Sequence, residues 1–393
     1  MPHRSTLGRV VELTAVGATF IAACSSSSKS SSSGSAAAPT NSKCSGTIGF
    51  FGALTGSEAA LGINEQDGVK LAISQFEAKN SSCKITYTGY DSQGDPSQAP
   101  ALAQKAISDS SLIALIGPAF SGESKAADPI FEQAGLPNMT VSATNPTLGT
   151  NGWKLWHRAV GTDNSQGPAA AQYLDKVLHT KKVAVIDDGS EYGKGIADIV
   201  RSTLKTDGVT VTDSESIDPN GTDFSSTVNN IKSNPPDAVF FGGYYQAGGV
   251  LAKQLADAGV KATFMGPDGV EDPGFVKAAG AAAEGAILLA PGTPADKLPG
   301  SFPADYKALN GQAAALYSVE AYDAANAVLA GIKAGDTTRA SMETYLNGVD
   351  YHGLAVEIKF NPTNHELAPK VTIWASKVEN GQIVSQAAIS LAA

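Results

Sequence analysis

Six polar residues stand directly after predicted strands, where a side chain is free to meet a ligand: Ser121, Ser142, Thr144, Tyr192, Tyr244 and Asp268. Ser121 follows the apolar run ending Ile116-Gly117 and precedes Gly122, at the predicted start of a helix. The first N–H groups of a helix lack partners and carry partial positive charge, so this position can seat a carboxylate. A serine there can equally do no more than cap the helix. Ser142 and Thr144 lie on the loop after the next strand. Their hydroxyls can accept from an ammonium or donate to a carboxylate, or serve only as turn residues. Asp268 lies in Gly266-Pro267-Asp268-Gly269. A fixed carboxylate among small residues can hold an ammonium through a charge-assisted bond, the alternative being an Asx turn. Tyr192, in Asp188-Gly189-Ser190-Glu191-Tyr192-Gly193, and Tyr244 can form an aromatic wall over an apolar side chain.

Nothing comparable points to covalent chemistry. Gly189 to Gly195 has three residues between Gly189 and Gly193 where a phosphate-binding loop needs four, and Gly195 replaces the magnesium-binding hydroxyl. The turn at Gly49–Gly56 is not a dinucleotide fingerprint, and no serine sits in a Gly-x-Ser-x-Gly elbow. The five histidines, His157 and His352 among them, show no metal-ligand spacing and no evident partner, so neither a metal nor a cofactor is expected.

These residues need a scaffold that presents strand ends. Apolar runs at Ile48–Leu54, Leu112–Ile116, Val183–Ile186 and Ala238–Phe241 read as buried parallel strands, each followed by a Gly-containing turn and a helical pattern. Val69, Ala72, Ile73 and Phe76 form one helix face. Leu112–Thr144 and Ala238–Gly269 repeat one plan: strand, glycine turn, helix, Ala-Gly-aliphatic break, strand and polar loop. The expectation is an α/β fold of two doubly wound lobes, with ligand between their facing strand ends.

Composition narrows the setting. The chain has 393 residues and a net charge of −10, with no basic patch, so nucleic acid is excluded as a partner. Arg4 and Arg9 precede a mostly apolar run, Val10 to Ala23, interrupted by Glu12 but of signal-peptide length, ending Ile21-Ala22-Ala23-Cys24 before serines. This resembles a bacterial lipobox, implying a signal peptide over 1–23, a lipid on Cys24 and membrane association through that anchor alone. Residues 24–45, rich in Ser and Ala, read as a tether. Cys44 and Cys83 remain, and outside the cytoplasm they argue for one disulfide, the alternative being two thiols.

Three segments carry a family likeness: AVFFGGYYQAGGVLAKQLADAGVKATFMGPDGV (238–270), VIDDGSEYGKG (185–195) and GTDNSQGPAAAQYL (161–174). From about Gly46 to the C-terminus the chain resembles the leucine/isoleucine/valine-binding proteins, the type I periplasmic solute-binding components of branched-chain amino-acid ABC transporters. The resemblance implies lobes over 46–162 with 292–367, and 163–291 with 368–393, joined by three crossing strands near 162, 292 and 367. It implies that Ser121, Ser142 and Thr144 hold the α-carboxylate, that Asp268 with Thr144 holds the α-ammonium, and that Tyr192 and Tyr244 close over the ligand. Asp268 stands where the family has glutamate, Leu61 where it has a tyrosine beside the side-chain pocket, and Gly94 and Phe120 at its cysteine positions. Those departures bear on side-chain selectivity. The implied protein is a monomeric, non-enzymatic receptor outside the cytoplasm, delivering an amino acid to an ABC permease. A receptor for amides or urea-like solutes on the same fold is the alternative, and Asp268 argues against it. A tethered hydrolase would need a base near Ser121, which the repeat does not supply.

Overall fold

The structure, a computed structural model, describes residues 44–389. The expected leader, Cys24 and nearly all of the tether lie outside the described residues. Five parallel strands form a first sheet: β1 (Ser45–Gly52), β2 (Lys84–Asp91), β3 (Leu112–Ile116), β4 (Asn138–Thr140) and β5 (Trp156–Arg158), in the order β2-β1-β3-β4-β5. All five residues of β3 are buried, as expected of a strand covered on both faces. Five more, β6 (Lys182–Asp187), β7 (Thr210–Ser216), β8 (Ala238–Gly242), β9 (Thr263–Gly266) and β10 (Ile287–Pro291), repeat that plan in the order β7-β6-β8-β9-β10. The internal repeat of the sequence is therefore a repeat of topology.

The second sheet is mixed. A small antiparallel hairpin, β11 (Asp350–His352) and β12 (Glu357–Lys359), stands apart. Then β13 (Ile373–Glu379) and β14 (Gln382–Ile389) extend β10 antiparallel. Their partly polar sequence gives no continuous apolar run, because β14 is largely exposed.

Helices α1 (Ala59–Lys79), α2 (Ala99–Ser108) and α3 (Ser121–Ala134) follow the first three strands. Helices α4 (Asp163–Gln172), α5 (Glu191–Thr206), α6 (Ser225–Ser233), α7 (Tyr245–Asp257) and α8 (Pro273–Ala279) serve the second sheet. The chain then returns: α9 (Phe302–Asn310), α10 (Ser318–Ala334) and α11 (Arg339–Asn347) pack with α1 and the first sheet. The Val69, Ala72, Ile73 and Phe76 stripe of α1 is buried in that core. Among the described residues no helix is long and apolar enough to cross a membrane.

The chain passes between the sheets three times, and the passages touch. A Cβ on Gly161 would lie 3.1 Å from side-chain atoms of both Pro291 and Val371, so only glycine fits there without displacement. Gly292 N–H donates to Thr372 O at 2.9 Å. Cys44 and Cys83 are disulfide-bonded, with Cα atoms 4.6 Å apart, at the adjacent starts of β1 and β2.

Two histidines differ from expectation. His157 is fully buried and has partners: its ring nitrogens lie 3.3 Å from Asn138 O and 3.2 Å from Asn347 Oδ1. His352 is exposed on the β11–β12 hairpin, beside Asp350 and Glu357. Lys359 already pairs with Asp350 at 2.6 Å, and the group is an open surface patch with no buried ligand.

Candidate functional site

In each sheet the strand order reverses between the first and third strands, β1 and β3 or β6 and β8. Ligands of open α/β sheets bind beyond the carboxyl ends of strands at such a switch. The two switch points border one small, nearly filled cavity.

The first sheet contributes Ser121, Ser142 and Leu61. Ser121 is the first residue of α3, and no side chain caps that helix. Its hydroxyl accepts from Asn145 N–H at 3.2 Å, which anchors the Thr144 loop instead of capping the helix. The leading N–H groups of α3, which starts at the cavity wall, are thus left without a side-chain cap, an arrangement that favours an anion. Ser142 Oγ donates to Ala119 O at 2.7 Å. Leu61, in the first turn of α1, is 3 % exposed and supplies an apolar wall with Phe120.

The second sheet contributes Tyr192, Tyr244 and Asp268. The tyrosine rings lie 5.2 Å apart, and Tyr244 meets Phe120 edge-on at 5.3 Å. A Cβ on Gly269 would come within 2.8 Å of the Tyr192 ring and 2.6 Å of Gly243 O, so glycine lets the Asp268 turn approach the aromatic wall. Asp268 is not an Asx turn. Its Oδ1 accepts from Gln166 Nε2 at 2.7 Å and Tyr192 O–H at 2.5 Å, and its Oδ2 from Tyr317 O–H. Gln166 Oε1 in turn accepts from Asp268 N–H at 2.9 Å, so the side chain is braced from two directions.

Thr144 is not a cavity-lining residue. It is fully buried, its hydroxyl directed at the Asp163 carboxyl. Arg158 holds the loop: its Nη1 donates to Ala143 O at 2.9 Å and to Asn145 O at 2.7 Å, bracketing Thr144. The guanidinium is also paired with Glu366.

Four residues of the site escape the sequence reading: Glu65, Asp163, Gln166 and Tyr317. Glu65 sits on the apolar face of α1, four residues after Leu61 and four before Val69, and that misplaced charge is the signal that could have found it. Asp163 and Gln166 are buried polar residues in the first turn of α4. Tyr317 follows an alanine run and carries no local signal.

The electrostatics are one-sided. No Lys, Arg or His lines the cavity among the described residues. Burial raises the Asp163 carboxyl well above the ordinary range, and the neighbouring Asp268 charge raises it further. Burial raises Asp268 too, but three donors oppose it. Asp163 takes the stronger upward push, opposed only by the Thr144 hydroxyl and the Arg158 charge, so Asp268 is the member of the pair that the site favours as the carboxylate. Glu65 is 1 % exposed, and burial pushes its carboxyl well up as well, with the Ser142 hydroxyl opposing. Burial also raises Tyr192, Tyr244 and Tyr317, which remain neutral donors. The cavity thus joins a helix N-terminus, a buried carboxylate and an apolar-aromatic wall. It can hold a small molecule with an anionic end, a cationic end and an apolar body.

Comparison with known proteins identifies the family and the fold. The family model described as "Periplasmic binding protein" matches residues 46–382. The Leu/Ile/Val-binding protein of Rhizobium johnstonii is 34% identical over 298 residues, covering 75% of this chain and 81% of the relative. The leucine-, isoleucine-, valine-, threonine- and alanine-binding protein of Pseudomonas aeruginosa is 32% identical over 301 residues, covering 74% and 78%. Among solved structures, the branched-chain amino acid transporter substrate binding protein of Streptococcus pneumoniae, in complex with isoleucine, superposes with a TM-score of 0.80 at 26% identity. That match covers 88% of this chain and 98% of the other.

Proposed function

The chain belongs to the periplasmic binding protein family, and we propose that it captures a branched-chain amino acid outside the cytoplasm and delivers it to an ABC transporter permease. The observation that carries this reading is Asp268, a buried carboxylate with no basic partner lining its cavity, set across from the uncapped start of α3. An α-ammonium would pair with Asp268, and an α-carboxylate would take the α3 N–H groups with Ser121 and Ser142. The aliphatic side chain would lie against Leu61, Phe120 and the two tyrosines. Thr144 would act from behind, through the loop that it and Arg158 order.

Capture works by closure. We take 46–162 with 292–367 as one lobe and 163–291 with 368–393 as the other, hinged where Gly161, Pro291–Gly292 and Val371–Thr372 meet. A ligand touching both lobes favours the closed state by its differential affinity. The leader and Cys24 support a lipid anchor on the outer face of the cytoplasmic membrane, with the receptor acting as a monomer. Catalysis is not part of this reading: the Ser121 hydroxyl is engaged by a backbone N–H and no histidine lines the cavity.

A thermal-shift screen of ligand-stripped protein against the twenty amino acids, small amides and urea tests the proposal. Ligand at about 100 times its dissociation constant adds roughly 2.7 kcal/mol to folding stability. Stabilisation by leucine, isoleucine or valine is expected. Stabilisation by acetamide or urea alone would transfer the assignment to an amide receptor.

A further inference from the structure

Asn145 ties the Ser121 end of the cavity to the opposite sheet. It is 3 % exposed and stands on the loop after β4, next to Thr144. Its N–H donates to Ser121 Oγ and its C=O accepts from Arg158, so its backbone belongs to the first sheet's half of the site. Its side chain reaches the other half: Nδ2 donates to Glu191 O at 2.6 Å, in the first turn of α5. Oδ1 accepts from Thr147 N–H at 2.9 Å and from Thr147 O–H at 2.7 Å, so the amide is held in one orientation. Gly195 of α5 supplies the room. A Cβ there would lie 2.7 Å from Asn145 Nδ2, and the amide could avoid it only by giving up those bonds. The Gly195 backbone is not left-handed, so its conformation does not call for glycine, and glycine weakens a helix interior relative to alanine. A helix-weakening residue thus stands where the amide enters. Lys125 and Glu191 bridge α3 and α5 nearby at 2.8 Å, but Lys125 is exposed, and such a pair contributes little.

We propose that Asn145 is a strap, seated on Gly195, that couples capture of the ligand carboxylate to closure of the lobes. The inference rests on the amino-acid reading above. A carboxylate held by Ser121 and the α3 N-terminus steadies the loop that carries Asn145, and the amide then fastens that loop to α5. The bond exists only when the lobes are closed, so it slows ligand escape. Asn145 is therefore a positioning residue, acting on the ligand through the loop and the closed state.

The test is stopped-flow measurement of leucine association and dissociation with ligand-stripped protein, with melting temperatures read on the same preparations. Asn145→Asp keeps the acceptor for Thr147 and both backbone bonds but removes the donor to Glu191 O. Gly195→Ala leaves Asn145 unchanged and blocks its seat. Each should speed leucine dissociation about two- to tenfold, the worth of one net hydrogen bond, with association near the wild-type rate. Without ligand, Gly195→Ala should melt at or above wild type, because alanine suits the helix interior and open lobes have no clash. A wild-type dissociation rate in either folded variant overturns the strap while leaving the amino-acid reading standing. So does a ligand-free Gly195→Ala protein that melts several degrees lower, since Gly195 would then serve the fold alone. Wild-type protein that binds no amino acid overturns both.

Discussion

Asp268→Asn should separate ligand recognition from folding, because the two respond in opposite directions. The native carboxylate is 2 % exposed and accepts from Gln166, Tyr192 and Tyr317. Asparagine keeps its volume and still offers Oδ1 to Gln166 and Tyr192, while the Tyr317 hydroxyl can turn to accept from the new amide. Removing one partner of a buried, hydrogen-bonded charge pair costs about 2–5 kcal/mol. At 1.4 kcal/mol per decade, amino-acid affinity should fall by about 30-fold to a few thousand-fold. Stability without ligand should not fall. Asp268 has a raised folded pKa, so above the ordinary carboxylate range its ionised form opposes folding. Asparagine removes that cost and relieves Asp163 beside it. Calorimetric titration reads the first effect and thermal melting the second. For the wild type, saturating amino acid should raise the melting temperature by about 5 °C, from ~2.7 kcal/mol at ~2 °C per kcal/mol. The variant should melt at or above the ligand-free wild type and show no such rise. Affinity within threefold of wild type, or a ligand-free melting point several degrees lower, would refute the reasoning.

Three further outcomes are expected. Reducing the Cys44–Cys83 bond, which closes a loop across 39 residues, should cost about 4 kcal/mol on the chain-entropy account, read as a lower melting temperature in dithiothreitol. Glu58, ahead of α1, faces Asp188 after β6 and Asp272 before α8, with Ser57 its neighbouring donor; burial foremost, and then those two charges, raise it to about 8. Below about 4.5 Glu58 is protonated whether the chain is folded or unfolded; between there and about 8 the folded protein keeps a proton that the unfolded chain releases. Folding stability should therefore lose this contribution as pH rises through that window, and Glu58→Gln should flatten the profile in melts from pH 5 to 8. Arg158→Met should leave Glu366 without its buried partner and the Thr144 loop without its bracket, costing about 3–5 kcal/mol in urea unfolding and weakening amino-acid binding in the same preparation.

The parts of the fold that sequence makes legible are those governed by local pattern. The runs at Leu112–Ile116 and Ala238–Phe241 are strands because unbroken apolar runs suit a sheet covered on both faces. The repeat from Leu112 and Ala238 reappears as one strand order used twice. The site residues that follow those strands are legible for the same reason: Ser121, Ser142, Tyr192, Tyr244 and Asp268 all line one cavity. Thr144 shows the limit, since a loop position two residues from Ser142 turns inward, where Arg158 fixes the backbone on either side. Tyr317 and Gln166 meet Asp268 only because distant segments converge, 49 and 102 residues away in sequence. The antiparallel β13 and β14 are obscured because an exposed edge strand needs no continuous apolar run.

The most direct test of amino-acid capture is calorimetric titration of the ligand-stripped protein with three matched compounds. Leucine carries both charges, isoamylamine only the ammonium, and 4-methylpentanoate only the carboxylate. If Asp268 and the α3 N-terminus act together across the cleft, leucine binds far more tightly than either half-molecule. Binding of 4-methylpentanoate as tight as that of leucine would contradict the account, because Asp268 would then contribute nothing to recognition.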